Sequence, residues 1–281
     1  VRRAWVHMNA DVGTIEVRDE LDDDGSETPT VTGKLVPKWA RFITRIRASG
    51  ALDGAAIGSG LVLGYLEGGI DNGDNKLTFI ISGGGGQVAT GTQNLAPVYE
   101  SPPLNVPVEA GARMKFFSEV FGDAENDTEA QIAVQFSDTA NPGGAVWTRS
   151  YTADADTADG DQNLTGDFGS DTTPPLNVPP EASELGWVSG AFGYDQAADG
   201  TTAVKVVVKH GPIEDDQSIP IGGQGSIAGQ AGSDEGWLTM AATNAEVYSK
   251  VIGSDLDAKV RGETMGDDPG SGQIGATLWF R

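Results

Sequence analysis

The chain has 281 residues, with 41 acidic against 18 basic side chains, a net charge of −23, 40 glycines and no cysteine. This balance argues against nucleic-acid binding as a main role, because phosphate contact needs a basic face, and the lack of cysteine excludes a disulfide framework. The acid is spread over both halves, 20 acids in residues 1–142 and 21 in 143–281, so it is a property of the whole surface and suits hydration in high salt.

The N-terminal decamer VRRAWVHMNA has a polar break after six residues and no signal-peptide core. No later run approaches the ~20 apolar residues that span a bilayer. Residues 1–17, with Trp5, Val6, Met8 and Ile15, could form a terminal strand offered to a neighbouring molecule. An acidic cluster follows, DELDDD at 19–24, ahead of Gly25. In Arg41–Ala48 the residues alternate: Phe42, Thr44, Ile46 and Ala48 share one face, and Arg41, Ile43, Arg45 and Arg47 the other. That is the period of a half-buried strand. The runs GLVLGYL from Gly60 and KLTFIIS from Lys76 are short and apolar and end in glycine clusters. Ala203–Lys209 is rich in valine, which favours strands. Helix signals are scarce; the best is NAEVYSKVI at 244–252, with Asn244 as a cap.

Three pairs of markers lie 142 residues apart: Trp5 and Trp147, Val36-Pro37 and Val178-Pro179, and the runs that begin at Ile132 and Ile274. The order and the common offset point to a duplication, with copies at residues 1–142 and 143–281. Within the copies PPLNVPVEA at 102–110 is repeated as PPLNVPPEA at 174–182. Each Val-Pro step precedes an apolar run, an Asp- and Gly-rich loop and a second run, which reads as a hairpin started by a stiff segment. Seven or eight strands per copy with long connections predict an all-β fold of two tandem jelly-roll or β-sandwich domains.

Catalytic motifs are missing. His7 and His210 are the only histidines and neither has a triad context, and no phosphate-binding glycine loop is present. The chain is therefore expected not to be an enzyme and to need no cofactor. Acidic loops could supply oxygen ligands to calcium, with Asp22, Asp24, Asp71 and Asp74 as the weak candidates, although none follows the spaced calcium-loop pattern. Eight of the 18 bases fall in the first 50 residues. Arg41, Arg45 and Arg47, with Trp5, are candidate interface residues, facing an acidic neighbour or an anionic membrane, or pairing with carboxylates on an adjacent strand.

The Val-Pro steps at 36–37, 106–107 and 178–179 and the 142-residue duplication resemble the double-jelly-roll major capsid proteins of icosahedral, often membrane-containing, viruses of bacteria and archaea. The resemblance implies a structural subunit of a virion. It would form trimers in which two lobes per chain build a pseudo-hexameric capsomer, packed against other capsid subunits and with no direct nucleic-acid contact. Two other classes share the composition. One is a secreted filament, pilus or surface-layer subunit, and the other a tandem carbohydrate-binding module using Trp187 and Trp237.

Overall fold

A computed structural model describes residues 1–12, 19–20, 34–52, 58–86, 98–122, 128–154, 161–163, 179–195, 201–209, 217–225, 240–247, 259–266 and 271–281. The strands of the first part are β1 (Arg3–Val12), β2 (Asp19–Glu20), β3 (Lys34–Leu35), β4 (Phe42–Leu52), β5 (Gly58–Glu67), β6 (Lys76–Gly86), β7 (Tyr99–Glu100), β8 (Val106–Pro107), β9 (Arg113–Gly122) and β10 (Thr128–Ser137). Those of the second are β11 (Trp147–Asp154), β12 (Asp161–Asn163), β13 (Leu185–Asp195), β14 (Thr201–Lys209), β15 (Gln217–Gly225), β16 (Met240–Ala241), β17 (Thr243–Glu246), β18 (Lys259–Gly266) and β19 (Ser271–Phe280).

They form four antiparallel sheets. Sheet I has the order β1-β10-β4-β7, with β8 also on β4; sheet II has β16-β6-β5-β9-β2, with β3 also on β9. Sheet III has β11-β19-β13-β17, and sheet IV β12-β18-β14-β15. The second pair reproduces the first strand for strand. β11, β19, β13 and β17 stand where β1, β10, β4 and β7 do, and β12, β18, β14 and β15 where β2, β9, β5 and β6 do. Each pair has the strand order of an eight-stranded jelly roll. The fold is two tandem jelly-roll/β-sandwich domains related by internal duplication.

The match extends to irregularities. β4 carries one extra residue, Thr44, opposite the Gln135–Phe136 step of β10, and β13 carries Gly186 opposite the Trp279–Phe280 step of β19. β6 has the extra residue Ile81 and β15 has Ile221. Bulges re-aim the strand that carries them, so their presence at the same place in both copies fixes the alignment. Phe136 and Phe280 correspond, through their pairing with Ile43 and Leu185. Ala4 and Trp147, which face them on the other side, therefore correspond as well. Trp5 is thus the counterpart of Thr148, and the Trp5–Trp147 coincidence of spacing does not mark equivalent positions. Likewise Ile132 pairs in β10 where Ala276 does in β19, and not where Ile274 does.

Two further expectations are corrected. The units after each Val-Pro step are not hairpins, because their two runs lie in different sheets: β4 and β5, β9 and β10, β13 and β14. The hairpins are β5–β6 and β14–β15. The segment from Thr243 is extended and pairs with β13, so the helix proposed over 244–252 is not formed at its start. Its later residues, from 248, lie outside the described residues.

The sheets stack in the order I, II, III, IV. Gly50 of sheet I lies against Val62 of sheet II, and Ser82 Oγ donates to Gly50 O at 2.8 Å. Between sheets II and III, Thr78 N donates to Thr148 Oγ1 at 2.8 Å and Ile80 N to Thr277 Oγ1 at 3.0 Å. Sheets III and IV meet where Gly190 accepts the Ile221 side chain. β5 and β6 of sheet II and β19 of sheet III are thus covered on both faces. That explains why Gly60–Leu66, Leu77–Gly84 and Gln273–Phe280 are buried throughout and are apolar at most positions, without an exposed polar face. β10, by contrast, alternates: Ala130, Ile132, Val134 and Phe136 are buried, while Gln131, Ala133 and Gln135 are not.

Candidate assembly surfaces

Among the described residues nothing covers the outer face of sheet I, the counterpart of the covered face of sheet III. Trp5, Gln135 and Arg45 form one cross-strand row, and His7, Ala133, Arg47 and Glu100 the next. Trp5 is 43% exposed, and the Arg47 guanidinium sits 5.4 Å from its ring centroid. Glu100 binds both arginines, Arg45 NH1 at 2.7 Å and Arg47 NH2 at 3.0 Å. Gln131 Nε2 donates to Ser49 Oγ at 2.8 Å, and its Oε1 lies 3.2 Å from His7 Nε2. At the edge, Arg2 stacks on the Trp39 ring at 4.5 Å. Planar cations on aromatic rings are a preferred composition for recognition surfaces.

The sequence-predicted stripe is therefore only partly right. Arg45 and Arg47 share the outer face and Trp5 joins them. The Thr44 bulge reverses the alternation, which leaves Ile43 fully buried in the core and sets Arg41 apart, exposed ahead of β4. The arginines pair within the molecule, with Glu100. The terminal strand is not free either: β1 is zipped to β10 over Arg3–Val12, while Ile15 lies outside the described residues. Of the calcium candidates, Asp22 and Asp24 lie outside the described residues. Asp71 is exposed on the β5–β6 turn, and Asp74 is engaged by Arg149 NH1 at 2.7 Å. Among the described residues no group of three or more His, Cys, Asp or Glu side chains could hold a metal ion. His210 and Trp237 lie outside the described residues, and Trp187 is half-buried beside Arg281, whose guanidinium is 5.7 Å from its ring.

The seam between sheets II and III is the surface already occupied. Trp147 Nε1 donates to Asn72 O at 2.5 Å, and Asn72 Nδ2 donates back to Val146 O at 3.1 Å. Phe79 stacks with Phe116 at 6.4 Å and with Trp279, from the second sandwich, at 6.4 Å. Trp279 Nε1 donates to Ser189 Oγ at 2.6 Å, Ser189 Oγ donates to Asn244 Oδ1, and the Tyr99 hydroxyl lies 3.3 Å from Ser189 Oγ. Burial pushes the Tyr99 phenol well above its ordinary value, with a smaller opposite effect from the Ser189 hydrogen bond. Asn244 Nδ2 reaches Glu100 O at 2.5 Å, so β7 connects the seam to the arginine pair outside. One strand crosses between the halves: β16 of the second part pairs with β6, Met240 opposite Gly83 and Ala241 opposite Ser82. Sequence reasoning missed this, since two residues, Met240 and Ala241, carry no strand signal.

No known protein family and no curated protein matches the chain. Solved structures with a similar arrangement include a peptide-N(4)-(N-acetyl-β-D-glucosaminyl)asparagine amidase, at TM-score 0.39 and 8% identity over 99% of this chain and 96% of that one. Another is the cowpea mosaic virus top component, naturally occurring empty particles, at TM-score 0.34 and 10% identity over 99% and 88%. A third is the CBM22-1–CBM22-2 tandem domain of Paenibacillus barcinonensis Xyn10C, at TM-score 0.22 and 10% identity over 99% and 93%. All three scores lie under 0.5.

Proposed function

We propose that the chain is a non-enzymatic, self-assembling structural subunit, a capsid-type protein of a virion of the double-jelly-roll kind, divided at residues 142 and 143 into two lobes. The observation that carries this is the internal stack. Sheet II of the first sandwich covers sheet III of the second, while its counterpart, sheet IV, and the counterpart of sheet III, sheet I, lie at the two ends. A second copy placing its sheet IV on the open face of sheet I repeats the contact the molecule makes with itself. Such a contact is heterologous, and it closes into a ring when the rotation allows. Three chains with two lobes each give the six-lobed ring of a pseudo-hexamer.

In this reading Trp5 and Arg47 are the anchor of the intermolecular contact, as aromatic and arginine side chains are in protein interfaces generally. Light scattering and electron microscopy of the purified chain test it. Trimers or closed shells support it, and Trp5→Ala combined with Arg47→Glu should shift the population to monomers without loss of the folded β spectrum. A monodisperse monomer at all concentrations overturns it, and an open filament points to the surface-layer class.

A further inference from the structure

We propose that assembly includes strand addition between copies, in which the residue Val98 of one chain pairs with the outer edge of β15 of the next. The inference rests on the assembly reading above and deepens it. Its basis is what the chain does to itself. β6, the edge of sheet II, is extended by β16, and the following residue, Ala242, donates its N–H to Ile81 O at 2.9 Å and is buried. Ile81 is the bulge residue of β6.

Every part of that arrangement has a counterpart. β15 corresponds to β6, and its bulge residue Ile221 to Ile81; both isoleucine side chains are buried. Among the described residues nothing pairs with the outer edge of β15. On the other side, Glu100 pairs with Arg47 and Tyr99 with Ala48, as Asn244 pairs with Ser189 and Thr243 with Gly190. Val98, one residue before Tyr99, is therefore the counterpart of Ala242. Ala242 is 6% exposed, whereas Val98 is 64% exposed, an apolar side chain left in water at the position where its counterpart is covered.

An unpaired edge is a ready template for another chain, and strand addition supplies main-chain hydrogen bonds with a pocket for alternate side chains. A copy seated on sheet I through its sheet IV brings its β15 edge beside Val98, as the β6 edge lies beside Ala242 within the chain. The Val98 N–H then donates to the Ile221 carbonyl of the neighbour, and the valine side chain covers the bulge. The same pairing would direct growth, because it joins the first lobe of one chain only to the second lobe of another.

The lack of cysteine makes the test clean. Chains carrying Val98→Cys are co-expressed with chains carrying Pro220→Cys, and the assembled material is treated with a short bis-maleimide. A covalent dimer containing one chain of each kind is expected, and either variant alone should give none. Val98→Pro, which removes the N–H at an exposed position, should raise the concentration for half-assembly about tenfold, the equivalent of ~1.4 kcal/mol. Oligomers that form normally but give no mixed dimer overturn the edge pairing and leave the assembly reading intact. Monomers alone in the unmodified chain overturn both.

Discussion

Arg149 and Asp74 join the two sandwiches, with the guanidinium NH1 2.7 Å from the carboxylate and the arginine side chain only 11% exposed. The arginine comes from β11 and the aspartate from the turn between β5 and β6, so the pair exists only when sheets II and III are docked. Removing the carboxylate leaves a nearly buried charge with less compensation, whereas the pair itself adds little beyond its own desolvation. Asp74→Ala should lower unfolding stability by about 2 kcal/mol, less than for a fully enclosed pair because Asp74 retains some water. Urea denaturation of the two proteins measures this, and an unchanged midpoint would show that the seam does not depend on the pair.

The same seam limits side-chain size. A methyl group at Gly193 would overlap Gly84 O and lie 2.7 Å from Gly60 O, backbone atoms that cannot turn aside. Gly193→Ala should cost about 1–3 kcal/mol, the range for overpacking. Gly186→Ala is the control: its nearest neighbour would be Trp279 O at 3.6 Å, ordinary contact. That variant should stay within about 0.5 kcal/mol of the parent. Equal losses at the two sites would argue against a close backbone approach between the sheets.

Tyr99 provides a pH signature. Its phenol is fully buried and held neutral above the ordinary value of 10.0. Its contribution to stability is complete below pH 10.0, because folded and unfolded chains are then both protonated. Above that pH the unfolded chain loses the proton and the folded chain keeps it, so stability falls as pH rises towards the folded value. Denaturation midpoints taken from neutral into alkaline pH should decline, and less steeply for Tyr99→Phe. Parallel declines in the two proteins would remove Tyr99 as the cause.

Asp138 is a local and opposite case. Its exposed carboxylate accepts from Thr139 Oγ1 at 2.7 Å and from Arg2 N at 3.0 Å, and these bonds hold it below its ordinary value of 3.8. Any stabilisation it supplies to the start of β1 is present above pH 3.8 and is lost as pH falls through the folded value. An NMR titration should find the midpoint depressed, and Thr139→Val should move it upward.

Sequence alone determined the all-β class, the duplication and the absence of recognisable catalytic motifs, because turn chemistry, alternation and internal similarity are local or self-referential signals. Arg45 and Arg47 were correctly placed on one face, since period two is set by the pleat. Sequence did not show that Ile43 leaves that face, because the Thr44 bulge is defined by the register against Gln135 and Phe136, about 90 residues away. Nor could spacing alone align Trp5 with Thr148, since insertions of one or two residues drift between strands and only ladder pairing counts them. The partner of the arginines, Glu100, and the strand that β16 adds to β6 follow from the packing of four sheets. Short apolar runs at Gly60, Lys76 and Ile274 showed strands, but not that sheets would cover them on both faces or which sheets those would be. That choice is nonlocal, made by shape and hydrogen bonding between residues 70 to 197 positions apart, and only the tertiary structure decides it.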